Sequence, residues 1–364
     1  MMFRVFLLLV LFFGIANGED SNSYKVVPIV SSNPTAGTGV GVMGVMMYNA
    51  DKTSSPSQAL ISAQYTDTDS YNIFIVNKLF IDSDKWQSNT VYGHIYNNTS
   101  FGIDTSEFYL PIDYIKPEFS VTIDAALQQL IYLISDDIYI GGQIFYISQE
   151  FEAQNEEGKF FLVSSGIEES MQRGGLGATF SYDTRGRDEK FYPRDSTWIN
   201  VACNYFPSFF GSDETFYNFL INARKYIPLG KSDDILALQF MGQYCSEDTP
   251  DGALAALGMR NILRGFPIGK YKTRYLNAIQ SEYRYTIADT RFRLVPFVGY
   301  ANLSGGSKGT GEKTNRNRDN GDYFSGGAGV HYILDKKFKL DYRVDVAYSS
   351  DNEVSVYASI NQAF

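Results

Sequence analysis

Residues 338–348 read FKLDYRVDVAY, and two sets of side chains alternate through the stretch. Phe338, Leu340, Tyr342, Val344, Val346 and Tyr348 take one parity, while Lys339, Asp341, Arg343, Asp345 and Ala347 take the other. Successive side chains of an extended chain point to opposite faces, so this is a strand with an aromatic-aliphatic face and a charged face. The final segment repeats the pattern: Val354, Val356, Ala358 and Ile360 oppose Ser355, Tyr357, Ser359 and Asn361. Alternation alone suits a soluble sandwich as well as a membrane barrel.

Working outward, the same period gives candidate strands at 24–31, 38–48, 56–66, 70–81, 87–97, 117–132, 137–150 and 172–183. Eight more follow at 197–207, 216–227, 234–245, 274–287, 291–302, 322–332, 337–348 and 353–363. Many approach the roughly 9–11 residues of a tilted membrane-spanning strand and exceed the ~5–6 of soluble sheets. Connections after odd strands are long at 98–116, 151–171, 208–215, 246–273 and 303–321, whereas those after even strands are mostly short. Loops on one rim, turns on the other and an even strand count define an outer-membrane barrel. The expectation is an all-β, transmembrane antiparallel β-barrel of about sixteen strands, closed by a terminal strand signal at Ile360 and Phe364. Pro28 in the first strand, YKVVPIVS, cannot donate to a ladder, and that strand reads as short. Few hydrogen bonds are therefore expected where it meets the last strand.

The opening MMFRVFLLLVLFFGIANG has the basic, apolar and small-residue regions of a secretory signal peptide over 1–18. Residues 19–364 are then one exported domain. With 32 Gly, 27 Tyr, 27 Phe, 11 Pro and a formal charge of −10, the chain lacks the basic footprint of a nucleic-acid binder. Cys203 and Cys245 fall two strands apart, so a bridge needs loop movement, and their spacing is not that of a metal site. GVGVMG at 39–44 fits a dinucleotide fingerprint only in letters, because no helix follows it; it reads as a Gly-rich strand. His94 and His331 sit singly inside strands, and Asp136-Asp137, Glu156-Glu157 and Asp233-Asp234 read as solvated turn charges. No enzyme, metal or cofactor is expected.

One stretch does not fit its place. NILRGFPIGKYKTRY at 261–275 lies on the longest external connection, yet it is basic, aromatic and compact. Folded into the lumen, Arg264 needs a carboxylate, and the inward face of the next strand, Gln280, Glu282 and Arg284, offers Glu282. Gly265 allows a tight tip, and Phe266 packs against the wall. The other reading is a solvated basic loop that binds lipopolysaccharide phosphate.

Leu263-Arg264-Gly265-Phe266 resembles the (V/L)RG(F/Y) motif of the BamA/TamA-type outer-membrane assembly factors, the bacterial surface antigen family. Asp183-Thr184-Arg185 followed by Tyr192-Pro193 is similar to that family's periplasmic turn. QSEYRY at 280–285 resembles the strand where an acid, here Glu282, pairs with the motif arginine; GKYKTRY at 269–275 is similar to short members. The resemblance implies an outer-membrane barrel with a lumenal loop, in contact with outer-membrane lipids and lipopolysaccharide. Client outer-membrane or secreted proteins would be inserted or translocated through a seam; a passive pore or surface antigen is the alternative. The family's second acid for the arginine falls at Gly299, which leaves Glu282 to hold Arg264 alone, and Asp195-Ser196 stands where the family has Gly. Only residues 19–23 separate the leader from the first strand, so no POTRA-mediated recruitment of partners is expected.

Overall fold

The computed structural model describes residues 22–33, 37–100, 103–104, 114–164, 168–230, 233–258, 262–266, 271–305 and 320–364. The expected leader and most of the loops at 98–116 and 303–321 lie outside the described residues. The first eight strands are β1 (Ser23–Asn33), β2 (Gly37–Tyr48), β3 (Ser57–Thr66), β4 (Tyr71–Ile81), β5 (Trp86–Ser100), β6 (Glu118–Ser135), β7 (Ile138–Ala153) and β8 (Ser170–Asp183). The remainder are β9 (Ser196–Phe206), β10 (Phe216–Pro228), β11 (Ile235–Cys245), β12 (Tyr275–Thr286), β13 (Phe292–Ser304), β14 (Gly321–Asp335), β15 (Leu340–Ser349) and β16 (Val354–Ile360). Each pairs antiparallel with its chain neighbour, and β1 meets β16 to close the barrel. A nine-residue helix, α1 (Glu156–Ser164), lies on the long connection after β7.

Side-chain parity sorts the wall as the period of two requires. In β15, Val344, Val346 and Tyr348 face outward and are exposed, whereas Asp341, Arg343, Asp345 and Ala347 point inward and are buried. This inversion of a water-soluble fold, apolar outside and charged inside, is what lipid around a closed barrel demands. Aromatic pairs mark both rims: Trp86 packs on Tyr132 near the short turns at 4.6 Å between ring centres, and Tyr71 stacks on Tyr96 near the long loops at 5.2 Å. The Gly-rich fingerprint lies within β2. Cys203 is exposed on the outer face and Cys245 is buried, and no disulfide joins them.

The closure differs from the rest of the wall. Strands β1 and β2 pair along all of β1, from Ser23↔Met47 to Asn33↔Gly37, but among the described residues β1 and β16 share only Ser31↔Tyr357 and Ser32↔Val356. The first strand is not short, contrary to the sequence reading; it is 11 residues long. The ladder is brief because only the loop-rim end of β1 meets β16, leaving Ser23 to Val30 unpaired on that side. Below the two pairs, side chains take over: Val27, Ile29, Met43, Val45 and Met47 pack with Phe338, Leu340 and Ile360.

The terminal strand signal also needs correction. The last strand stops at Ile360, which is buried, and residues 361–364 turn into the barrel instead of completing a lipid-facing strand to 363. Polar and aromatic partners inside draw the tail inward. Asn361 exchanges hydrogen bonds with Gln58, Gln362 Nε2 donates to Asp341 at 2.6 Å, and the Phe364 carbonyl accepts from Arg284 at 2.7 Å. The Phe364 ring joins Tyr192, Tyr226, Ile235 and Ala237.

Candidate functional site

Inside the barrel, the described part of the 246–274 connection forms a plug against β11, β12 and β13. Leu254, Leu257, Ile262, Leu263 and Phe266 are buried against inward residues Met241, Cys245, Leu276, Ala278, Ala301 and Leu303. Phe266 meets Tyr271 and Tyr323 edge-on, with ring centres 6.0 and 5.7 Å away. At the tip, Leu263 has φ 49° and Gly265 has φ 107°. The latter is a conformation that side chains with a Cβ rarely adopt, so glycine is required there.

Between them Arg264 is aimed at two carboxylates. Its Nη2 donates to Glu282 at 2.9 Å and its Nη1 donates to Asp345 at 2.8 Å, while its guanidinium lies 3.6 Å from the centre of the Phe297 ring. Glu282 accepts from Arg284 at 2.9 and 2.7 Å. Asp345 accepts from Arg343 at 2.5 Å and lies 3.1 Å from His331 Nε2. All of these groups are buried, so each carboxylate must hold cations from two sides. The tip is fixed further by Gly265 N–H donating to Tyr357 and Leu263 N–H donating to Gln280.

Glu282 therefore does not hold Arg264 alone. The second carboxylate comes from β15, not from position 299. A Cβ at Gly299 would lie 3.1 Å from Gln280 Cβ and 3.4 Å from Leu263 Cδ1, so the loop tip occupies the room an aspartate would need. Across the sheet, Gly329 faces Asp345, and a Cβ there would lie 2.0 Å from the Asp345 carboxylate. The sequence carries a signal for Asp345, its place on the inward charged face of FKLDYRVDVAY, whereas the family resemblance puts the second acid at position 299.

The turn motif closes the opposite end of the same interior. Asp183 accepts from Arg185 Nε at 2.8 Å and Nη2 at 2.9 Å, and from Lys190 at 3.0 Å. Tyr192 is buried beneath Arg293, 4.2 Å from its ring centre, and burial pushes its phenol up to about 12 against the pull of Arg293 and Arg284. Pro193 lines a cavity beside Phe364. Arg284 links the two ends, since it binds Glu282 on one side and the Phe364 carbonyl on the other. His94, by contrast, pairs with Asp124 at 2.9 Å on the wall and joins neither group.

A closed sixteen-stranded barrel, apolar outside, with an inserted loop anchored by an arginine, defines an outer-membrane type of transmembrane protein. The Omp85 superfamily domain matches residues 52–363, and the chain belongs to that superfamily. A comparison with curated proteins finds no match. Among solved structures it is similar to BamA from Haemophilus ducreyi lacking POTRA domains 1–3, with a TM-score of 0.56 and 14% identity over 93% of this chain and 70% of that one. It is also similar to CdiB from Escherichia coli, with a TM-score of 0.66 and 12% identity over 95% of this chain, and spans 63% of CdiB.

Proposed function

We propose that this barrel assists insertion or translocation of client proteins at an outer membrane by transient opening of the β1–β16 seam. The observation that carries the reading is the two-pair ladder at that seam, where neighbouring strands pair along most of their length. A backbone hydrogen bond contributes about 0.5–1.5 kcal/mol net, so the seam is the cheapest place to part the wall. Apolar contacts hold its lower half, and these can exchange for an incoming strand without stranding backbone donors in lipid. The plug loop is anchored partly to β15 through Asp345, next to the strand that would move. Membership of the superfamily that the sequence also resembles supports the reading. In this account the surrounding lipids include lipopolysaccharide at the loop rim.

The test is reconstitution of the protein in liposomes, with conductance and the folding rate of an unrelated barrel measured together. Faster folding that is lost when Ser32→Cys and Val356→Cys are joined by a disulfide, with Cys203 and Cys245 replaced, supports seam opening. Steady conductance with no acceleration assigns the passive pore instead.

A further inference from the structure

A second polar centre lies below the plug anchor, toward the turn rim of the lumen, and reaches Arg343 at its upper edge. Two adjoining cavities of about 350 and 500 Å³ share Lys78, Arg185, Lys190, Phe191 and Arg224 in their linings. No acidic side chain lines either cavity among the described residues. Asp183, just behind, is already held by Arg185 and Lys190. Lys78 and Arg224 have no carboxylate within ion-pair distance among the described residues, although the whole chain has a charge of −10. The four shared cations face one carboxylate, Asp183, while Arg343, which lines only the smaller cavity, is held by Asp345.

Apart from Asp183, the described residues give these cations only neutral partners, such as Asn222, to which Arg224 Nε donates at 3.4 Å. Arg224 lies over the Trp198 ring at 4.6 Å and Arg185 over the same ring at 5.3 Å, so the indole sits against two guanidinium groups. Lys78 approaches Phe191 at 5.9 Å. Cation–ring contacts hold such groups in place without cancelling their charge. Beyond the basic end, amides line the larger cavity and bond to one another: Gln129 donates to Gln143 at 2.9 Å, and Gln143 donates to Asn204 at 2.6 Å. The volume is that of a small-molecule site.

We infer that the lumen binds an oxyanion carried on a hydroxyl-rich solute, of the class of sugar phosphates and uronic acids. Lys78 and Arg224 hold the anionic group, and the amide-lined cavity takes the hydroxyls. Arg presents a planar fork to a phosphate or carboxylate, Lys a point charge, and amides both donate to and accept from hydroxyls. This inference uses the barrel interior only and does not depend on seam opening.

The chain has two tryptophans, Trp86 on the outer wall and Trp198 in the site, so a Trp86→Phe protein reports from Trp198 alone. In a maltoside detergent at constant ionic strength, this protein is titrated with glucose 6-phosphate, glucuronate and glucose, by emission and by calorimetry. Saturable binding of either acid is expected, with glucose at least tenfold weaker; which acid binds identifies the phosphate or carboxylate source. Joint Lys78→Gln and Arg224→Gln substitution should weaken calorimetric binding at least tenfold, whereas Arg224→Lys, which keeps the charge, should retain most of it. Heat-modifiable gel mobility checks that each variant is folded. No saturable heat with either acid, equal binding of glucose, or an undiminished double variant overturns the inference.

Discussion

At the level of single residues, the plug anchor is decided by charge balance. Three guanidinium groups, Arg264, Arg284 and Arg343, share two carboxylates, Glu282 and Asp345. Arg264→Ala leaves two cations on two acids, so it should lower the thermal midpoint of the folded barrel through loss of the loop anchor. Glu282→Gln or Asp345→Asn leaves three cations on one acid, and breaking a buried pair in this way costs roughly 3–5 kcal/mol. Heat-modifiable gel mobility should rank both acid variants below Arg264→Ala. The opposite order would mean that the loop, not the acids, holds the cluster together. Gly329→Ala belongs with the acid variants, because its methyl would displace Asp345, and it should melt with them.

Among the elements, the short turns do more than connect strands. Arg187 in the 184–195 turn donates to the carbonyls of Ser54 and Lys52, tying the β8–β9 turn to the β2–β3 turn. Within the latter, burial works against the charge of Asp51. Donation from the Ser54 hydroxyl and from the N–H groups of Thr53, Ser54 and Asp82 outweighs it and holds the carboxyl well below its ordinary range. A depressed carboxylate contributes stability that is complete above its unfolded pKa, about 4, and is lost as pH falls toward the folded value. Proteolysis at residues 49–56 should therefore quicken below about pH 4 relative to neutral pH. An Asp51→Asn protein should cut readily at both, and an unchanged pattern in either case would show that Asp51 does not brace the turn. All sixteen strands were legible in the sequence, because a period of two survives wherever one face meets lipid. The tail at 361–364 was not. Phe364 has the parity of a wall residue, and only the distant Arg284, Tyr192 and Tyr226 reveal that it turns inward. Similarly, Glu282 was readable two residues from Arg284 on one strand, whereas Asp345 reaches Arg264 from 81 positions away.

For the whole molecule, the seam, plug and tail form one connected system. Residues 361–364 fill the space between Arg284, Asp341 and the turn motif, so removing them should loosen the lower seam as well as the interior. The expected outcome is a lower thermal midpoint together with higher conductance of the reconstituted protein. A truncated barrel that conducts like the full chain would separate tail from seam. The long-range bonds of the plug also bear on the order of assembly. Arg264 and Arg284 have their partners Asp345 and Phe364 about eighty residues ahead of them in the chain. Until β15 and the tail arrive, Arg264 and Arg284 have only Glu282 as a carboxylate to share among the described residues, and they stay hydrated. Locking of the plug is then a late step that waits on β15 and residues 361–364. A protein ending before Leu340 should leave the 262–266 segment open to protease, whereas early protection would place the locking step before closure.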